Sequence, residues 1–247
     1  MEKPLANKTA LVTGGGRGIG AAIAKRMASE GAHVTITYVG SSTEADKVVV
    51  DIEAKGGSAH AVEADAGQSG ANTVAVKDVV NRQGGLDILV SNAGVNVTNP
   101  IGDLTDEDYA RVFDINMRAN FEIMRAASKV MKPGGRIIAI TATIANDFFA
   151  PGLALYGASK AAVNAFLQGL SRDVGPMGIT VNAVVPGPID TDMNPDHSWL
   201  ARRLKKRVPL GRYGKPSEVA ALTSFLAGEE AGFITGTHFV IDGGMTA

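Results

Sequence analysis

Short apolar runs alternate with longer segments whose apolar residues recur every three or four positions, and this rhythm persists from residue 9 to residue 241. The short runs predict buried strands at 9–13, 34–38, 58–64, 86–91, 135–141, 179–185 and 237–241. Helical spacing, as in Ile19, Ile23 and Met27, predicts helices at 18–30, 43–55, 69–83, 106 to about 132, about 156–174, and a short one from Pro216. Strand–helix alternation calls for a parallel sheet covered on both faces, joined by right-handed crossovers. The expected fold class is therefore α/β, a single Rossmann-type doubly wound parallel sheet of about seven strands. No Pro/Gly/Ser-rich linker, repeat or low-complexity tract divides the chain, so one domain spanning 1–247 is expected.

Two segments break the rhythm. Residues 145–155 form a loop carrying Phe148 and Phe149. Residues 186–210 hold four prolines and the basic run Arg202-Arg-Leu-Lys-Lys-Arg207. Both follow the carboxyl ends of strands, where open α/β sheets place their ligands. The basic run reads plainly as a solvated helix face; its functional reading is a lid, about 190–210, over an anionic cofactor or substrate.

Composition narrows the function classes. Hydrophobic residues make up 45% and charged residues 20%, and the formal net charge is −1. That balance supplies no electrostatic pull toward nucleic acid or an anionic membrane. The absence of cysteine removes disulfides and thiolate metal sites and fits a reducing compartment. The four histidines, His33, His60, His197 and His238, have no metal-ligand spacing, so no metal is expected. Residues 1–8 lack the apolar core of a signal peptide, and the run 9–13 is far too short to span a bilayer. A cytoplasmic location is expected.

The candidate chemistry begins at Thr13-Gly-Gly-Gly-Arg-Gly-Ile-Gly20, between the first strand and the first helix. Glycines there permit a tight turn and let a diphosphate approach the backbone, while the helix start supplies N–H groups and a positive dipole. Gly14, Gly16, Arg17, Gly18, Ile19 and Gly20 are the candidate phosphate-binding residues. An NAD site usually ends its second strand with a carboxylate for the ribose hydroxyls. Here that end reads Tyr38-Val-Gly-Ser-Ser42, with no acid before Glu44. Arg17 can pair with a 2′-phosphate, and Ser41 and Ser42 can donate hydrogen bonds to it. NADPH is expected over NAD.

Tyr156-Gly-Ala-Ser-Lys160 sets a tyrosine and a lysine at i and i+4, on one face of a helix. An ammonium beside a phenol is expected to lower the phenol's pKa, so that the tyrosine can give or take a proton. The spacing alone is weak evidence, because such pairs are common by chance.

The motifs together resemble the short-chain dehydrogenase/reductase family, over essentially the whole chain. They are the 13–20 cradle, Asp65, Leu86-Asp-Ile-Leu-Val-Ser-Asn-Ala-Gly94, Asn116, Tyr156 with Lys160, Pro186-Gly187, and Ile241-Asp-Gly-Gly244. Within the family the chain is similar to the 3-oxoacyl-carrier-protein reductase branch. The resemblance implies an NADPH-dependent ketone or 3-oxoacyl reductase, or alcohol dehydrogenase, acting on a small-molecule carbonyl. By resemblance, Asp65 with Ala66 meets the adenine, and Asn92, Ala93 and Gly94 form the cofactor floor. Tyr38, at the end of the second strand, is a further candidate cofactor-binding residue. Tyr156 is the general acid, Lys160 holds the nicotinamide ribose, and Asn116 holds a relay water through its main chain. Pro186, Gly187, Ile189 and Thr191 contact the nicotinamide end. The family also implies a homotetramer, with residues 233–241 in the subunit contact.

Two features qualify the resemblance. The family has a serine thirteen residues before the tyrosine, and Thr143 stands there. Threonine keeps the hydroxyl and adds a methyl on a stiff side chain, so Thr143 is expected to polarise the substrate carbonyl in the serine's place, with Thr141 as a worse-placed substitute. The run 186–195 also resembles a subgroup of biofilm-dispersal mediators that bind cyclic-di-GMP. That implies an alternative, a nucleotide-binding regulator on the same fold with weak or no reductase activity. Phe148, Phe149, Leu153, Leu155, Met193 and Trp199 are expected to wall an apolar substrate pocket.

Overall fold

The computed structural model describes residues 3–40, 42–146 and 151–247. Seven parallel strands form one sheet in the order β3-β2-β1-β4-β5-β6-β7. These are β1 (Thr9–Val12), β2 (His33–Tyr38), β3 (Ser58–Glu63), β4 (Ile88–Ser91), β5 (Arg136–Ile140), β6 (Thr180–Pro186) and β7 (His238–Ile241). Seven strands, all parallel, match the expected class.

The strands are apolar on both sides because both sides are covered. Val12, Val90, Ile138 and Val184 face one core, which also takes Ile23 and Met27 of α1 (Gly18–Ser29), Val48 and Ile52 of α2 (Ser42–Glu53), and Val219 and Leu226 of α8 (Pro216–Ala227). Leu11, Leu89, Ile137 and Val181 face the other core, with Val76 and Val79 of α3 (Ala71–Gln83), Ile123 and Met124 of α5 (Ala119–Ser128), and Val163 and Leu167 of α6 (Ala154–Val174). Each fully buried Ile, Leu or Met contributes on the order of 1.5–3 kcal/mol.

The strand order reverses between β1 and β4. Connections from β1 run outward to β2 and β3, and those from β4 run the other way. The two sets of loops part there and leave a crevice at the sheet's carboxyl edge.

The long helix expected at 106–132 is interrupted. α4 (Asp106–Phe113) opens on a capping box, in which Asp108 N–H donates to Thr105 Oγ1 at 3.1 Å and Thr105 N–H donates to Asp108 Oδ2 at 3.2 Å. It then runs into a π turn, Asp114–Arg118, before α5 begins. No glycine or proline marks the break. Tertiary bonds hold it: Asn116 and Arg118 reach out of the turn to other segments.

The basic run lies on α7 (Trp199–Lys205) and the turn after it. Ser198 caps this helix by accepting from Ala201 N–H at 3.0 Å. Ala201 and Leu204 pack with Val208, Tyr213 and Met245 in a small cluster separate from the two main cores. Arg202 and Arg203 face solvent, and Lys205 pairs with Asp196 at 3.2 Å. Among the described residues no helix is long and apolar enough to cross a membrane.

Candidate active site

The crevice at the switch point is a cleft of about 480 Å³, within the roughly 300–1,000 Å³ of small-molecule sites. One end is the glycine loop. Gly14 has φ +62°, and a Cβ there would stand 3.1 Å from Ala93 Cα, so only glycine fits. A Cβ on Gly20 would lie 2.3 Å from the Gly14 carbonyl oxygen, so that glycine lets α1 press against the loop. Arg17 is the N-cap of α1 and provides no side-chain cap, which leaves the helix's first N–H groups free to meet an anion.

Threonine and asparagine side chains brace this loop. Thr13 Oγ1 accepts from Asn92 N–H at 2.9 Å and Ala93 N–H at 3.0 Å. Asn92 Nδ2 donates to the carbonyls of Thr13 at 2.9 Å and Gly14 at 3.2 Å. Thr37 Oγ1 accepts from Gly14 N–H at 3.1 Å. Thr13 stands at the head of the cradle motif and Thr37 reads in the sequence only as a strand residue; the bracing role of both depends on neighbours distant along the chain.

Of the candidate site residues, Gly14, Gly16, Arg17, Gly18, Ile19, Tyr38, Asp65, Ala66, Asn92, Ala93, Gly94, Tyr156, Lys160 and Thr191 line the cleft wall. Thr37, Val39, Glu44, Val95, Ile115, Ile140, Thr141, Asp192 and Met193 also line it. Gly20 is buried behind the loop, and Ser42 opens α2 on the exposed surface. Pro186 and Ile189 are buried and Gly187 half-buried at and beyond the end of β6, outside the lining. Ser41, Phe148 and Phe149 lie outside the described residues. Of the other expected pocket-wall residues, Trp199 is exposed on α7, and Leu153 and Leu155 are half-buried at the start of α6.

At the inner end, Asn116 is wholly buried. Its Oδ1 accepts from Val95 N–H, and its Nδ2 donates to the Val95 carbonyl and to Ser159 Oγ, all at 2.9 Å. Its own carbonyl accepts from Asn120 Nδ2 at 2.7 Å. Ser159 Oγ in turn donates to the Tyr156 carbonyl at 2.7 Å. Ser159 sits inside the Tyr156–Lys160 motif, but its role shows only once the π turn faces α6.

Tyr156 and Lys160 share a helix face as expected, but the electrostatics differ from the expectation. Burial pushes the Tyr156 phenol up to about 12 and pulls the Lys160 ammonium down to about 8. In each case the low-polarity surroundings disfavour the charged form. Lys160 Nζ stands 5.8 Å from the Tyr156 ring centre and donates to the Ile140 carbonyl at 3.2 Å. The expected lowering of the phenol by the ammonium is therefore corrected: burial outweighs it.

Thr143 is buried in the 3₁₀ turn Thr143–Ala145 beyond β5, outside the cleft lining. Thr141 is in the lining, but its hydroxyl oxygen is buried without a hydrogen-bond partner. Among the described residues no cluster of His, Asp or Glu could hold a metal ion.

A dinucleotide-sized cleft running from a glycine loop to a Tyr/Lys pair defines a Rossmann-fold oxidoreductase. A family model described as enoyl-(acyl carrier protein) reductase matches residues 14–246. A short-chain dehydrogenase from Burkholderia cenocepacia, solved in complex with NADP, superposes with a TM-score of 0.97 at 47% identity, over 99% of this chain and 100% of that one. The cyclic-di-GMP-binding biofilm dispersal mediator protein of Escherichia coli is 42% identical over 240 residues, 97% of this chain and 98% of its own length. A probable tetrahydroxynaphthalene reductase of Zymoseptoria tritici is 40% identical over 252 residues, 97% of this chain and 94% of its own length. The chain belongs to the short-chain dehydrogenase/reductase family.

Proposed function

We propose that residues 1–247 form one catalytic domain that reduces a ketone or 3-oxoacyl carbonyl with NADPH, or runs the reverse alcohol oxidation. The observation that carries this reading is the continuity of one cleft from the glycine loop to Tyr156 and Lys160. NADPH, when bound, supplies the hydride. The glycine loop and the free N–H groups of α1 hold its diphosphate, and Asp65 and Ala66 meet its adenine. Arg17, with Ser41 and Ser42, binds the 2′-phosphate. Asn92, Ala93 and Gly94 form the floor, and Pro186, Gly187, Ile189 and Thr191 take the nicotinamide end. The segment 190–210 acts as the lid. The NADP-bound neighbour supports this choice of cofactor.

Tyr156 protonates the carbonyl oxygen. A phenol held at about 12 keeps its proton at neutral pH, and the alkoxide oxygen that hydride transfer creates is basic enough to take it. Lys160 binds the nicotinamide ribose and the Ile140 carbonyl, which fixes its Nζ near the phenol. The Asn116 carbonyl, which also accepts from Asn120 Nδ2, holds the relay water. Thr143 donates its hydroxyl to the substrate oxygen. The probable tetrahydroxynaphthalene reductase among the relatives supports carbonyl reduction. The exposed Phe233 and Val240 near and on edge strand β7 support assembly as a homotetramer through residues 233–241.

The test is NADPH oxidation across a panel of ketones and 3-oxoacyl thioesters, by wild type and Tyr156→Phe. Turnover with some member, cut about 10²–10⁴-fold in the variant with NADPH binding retained, is expected for a lost general acid. A second reading, a nucleotide-binding regulator, is favoured by the description of the E. coli relative. Tight cyclic-di-GMP binding with no turnover on any carbonyl would select it.

A further inference from the structure

One five-residue turn touches both ends of the cleft. Within Asp114–Arg118, Ile115 lines the cleft wall, Asn116 grips Val95 at the inner end, and Arg118 reaches the opposite way. Arg118 Nη2 donates to the Gly67 carbonyl at 2.7 Å. Its Nε donates to Asp114 Oδ1 at 2.9 Å and its Nη1 to Glu122 Oε1 at 3.1 Å. The buried Glu122 carboxylate accepts from Ser69 Oγ at 3.1 Å and Gly70 N–H at 3.2 Å. Asp65 Oδ1 accepts from Gly67 N–H at 2.8 Å. The loop 65–70 is therefore tied at Gly67, Ser69 and Gly70, and of these side-chain bonds all but the one from Asp65 lead to the Arg118–Glu122 pair.

We propose that Arg118 and Glu122 are positioning residues that set the adenine-side loop of the cleft against the turn carrying Asn116. The loop follows β3 and has no helix of its own until α3 begins at Ala71. Its carbonyl and amide groups need partners, and a guanidinium with three donors engaged is rigid enough to supply them in one geometry. Because Arg118 follows Asn116 by two residues in the same turn, the adenine contacts and the proton-relay end share one anchor. Asp114 at Nε and Glu122 at Nη1 hold the guanidinium at two of its nitrogens, so the anchor does not swing with the loop.

The inference rests on the NADPH reading of the cleft, and the test separates the two. NADPH binding is followed by its fluorescence, and turnover is measured with NADPH and with reduced nicotinamide mononucleotide, which lacks the adenosine half. For Arg118→Met and Glu122→Gln, the Kd and KM for NADPH are expected to rise about tenfold, the loss of one charge-assisted hydrogen bond. The kcat at saturating NADPH and the efficiency with the mononucleotide change far less, and Arg118→Lys recovers part of the loss. Equal losses with both hydride donors, or an unchanged NADPH Kd, would overturn the positioning role. Failure of the wild type to bind NADPH would instead overturn the cofactor reading. Should Arg118→Met fail to fold, Glu122→Gln and Arg118→Lys carry the same comparison.

Discussion

Asn116 Nδ2 lies 2.9 Å from Ser159 Oγ, whose hydroxyl donates to the Tyr156 carbonyl at 2.7 Å. The π turn is thereby bonded to the first turn of α6, the turn that carries the phenol. Ser159 is wholly buried, so no water stands ready to replace it. In Ser159→Ala, one N–H of the Asn116 amide loses its acceptor while the other keeps the Val95 carbonyl. An unpaired buried donor costs about 1–3 kcal/mol. Denaturant titration is expected to show that loss, with a fall in kcat as the Tyr156 turn loosens. A variant as stable and as active as wild type would remove Ser159 from the site's support.

Lys160 sets a second expectation, with a pH signature. Its folded pKa, about 8, lies below the ordinary 10.5. The unfolded chain therefore binds more protons between those values, and stability climbs as pH rises through that window. Below pH 8 the full penalty stands, on the order of 3 kcal/mol, partly offset by the bond to the Ile140 carbonyl. Lys160→Met is expected to abolish activity and raise the unfolding free energy at pH 7 by about 1–2 kcal/mol. The gain should shrink by pH 10. Urea titrations at the two pH values decide it: a Met variant less stable than wild type at pH 7 contradicts the burial penalty.

Arg17 governs cofactor choice. It is exposed, and among the described residues its side chain has no carboxylate partner. Glu44 lines the same cleft, but Lys47 holds its carboxylate at 2.7 Å, which reduces its repulsion toward a phosphate. Arg17→Ala is expected to lower kcat/KM for NADPH by about 10–100-fold, the value of a charge-assisted contact, with little change for NADH. Equal losses with the two cofactors would show that Arg17 serves the shared diphosphate.

The fold was legible because buried parallel strands and amphipathic helices leave opposite periodicities, and all seven strands fell where the apolar runs stood. The cradle was legible for a related reason: the positive φ of Gly14 and the close approach of Gly20 to the Gly14 carbonyl are local demands. What escaped was non-local. Nothing in the run 106–132 distinguishes a π turn from a continued helix, because Asn116 and Arg118 stabilise it through Val95 and Gly67, far away in the chain. The Tyr156 electrostatics escaped likewise, since helical spacing gives the proximity of an ammonium but not the depth of burial.

The two threonines after β5 offer the sharpest test of the substrate contact. Thr141 continues the strand: its N–H donates to the Val184 carbonyl at 2.9 Å, and its side-chain oxygen is buried without a partner. A hydroxyl so placed adds desolvation cost, although the residue itself borders the cleft. Thr143 begins the 3₁₀ turn; its carbonyl accepts from Asn146 N–H at 2.9 Å, and among the described residues its hydroxyl has no hydrogen-bond partner. Valine matches threonine in shape and removes only the hydroxyl. Thr141→Val is therefore expected to gain up to about 1 kcal/mol of stability and keep its turnover, because an unsatisfied buried oxygen disappears. Thr143→Val is expected to lose about 10²-fold in kcat, the value of one donor to a developing oxyanion. Thr143→Ser should hold most of the wild-type rate, since the hydroxyl survives. The opposite pattern, activity lost at 141 and kept at 143, would move the donor two residues toward the strand and require the Thr141 hydroxyl to turn into the cleft on binding.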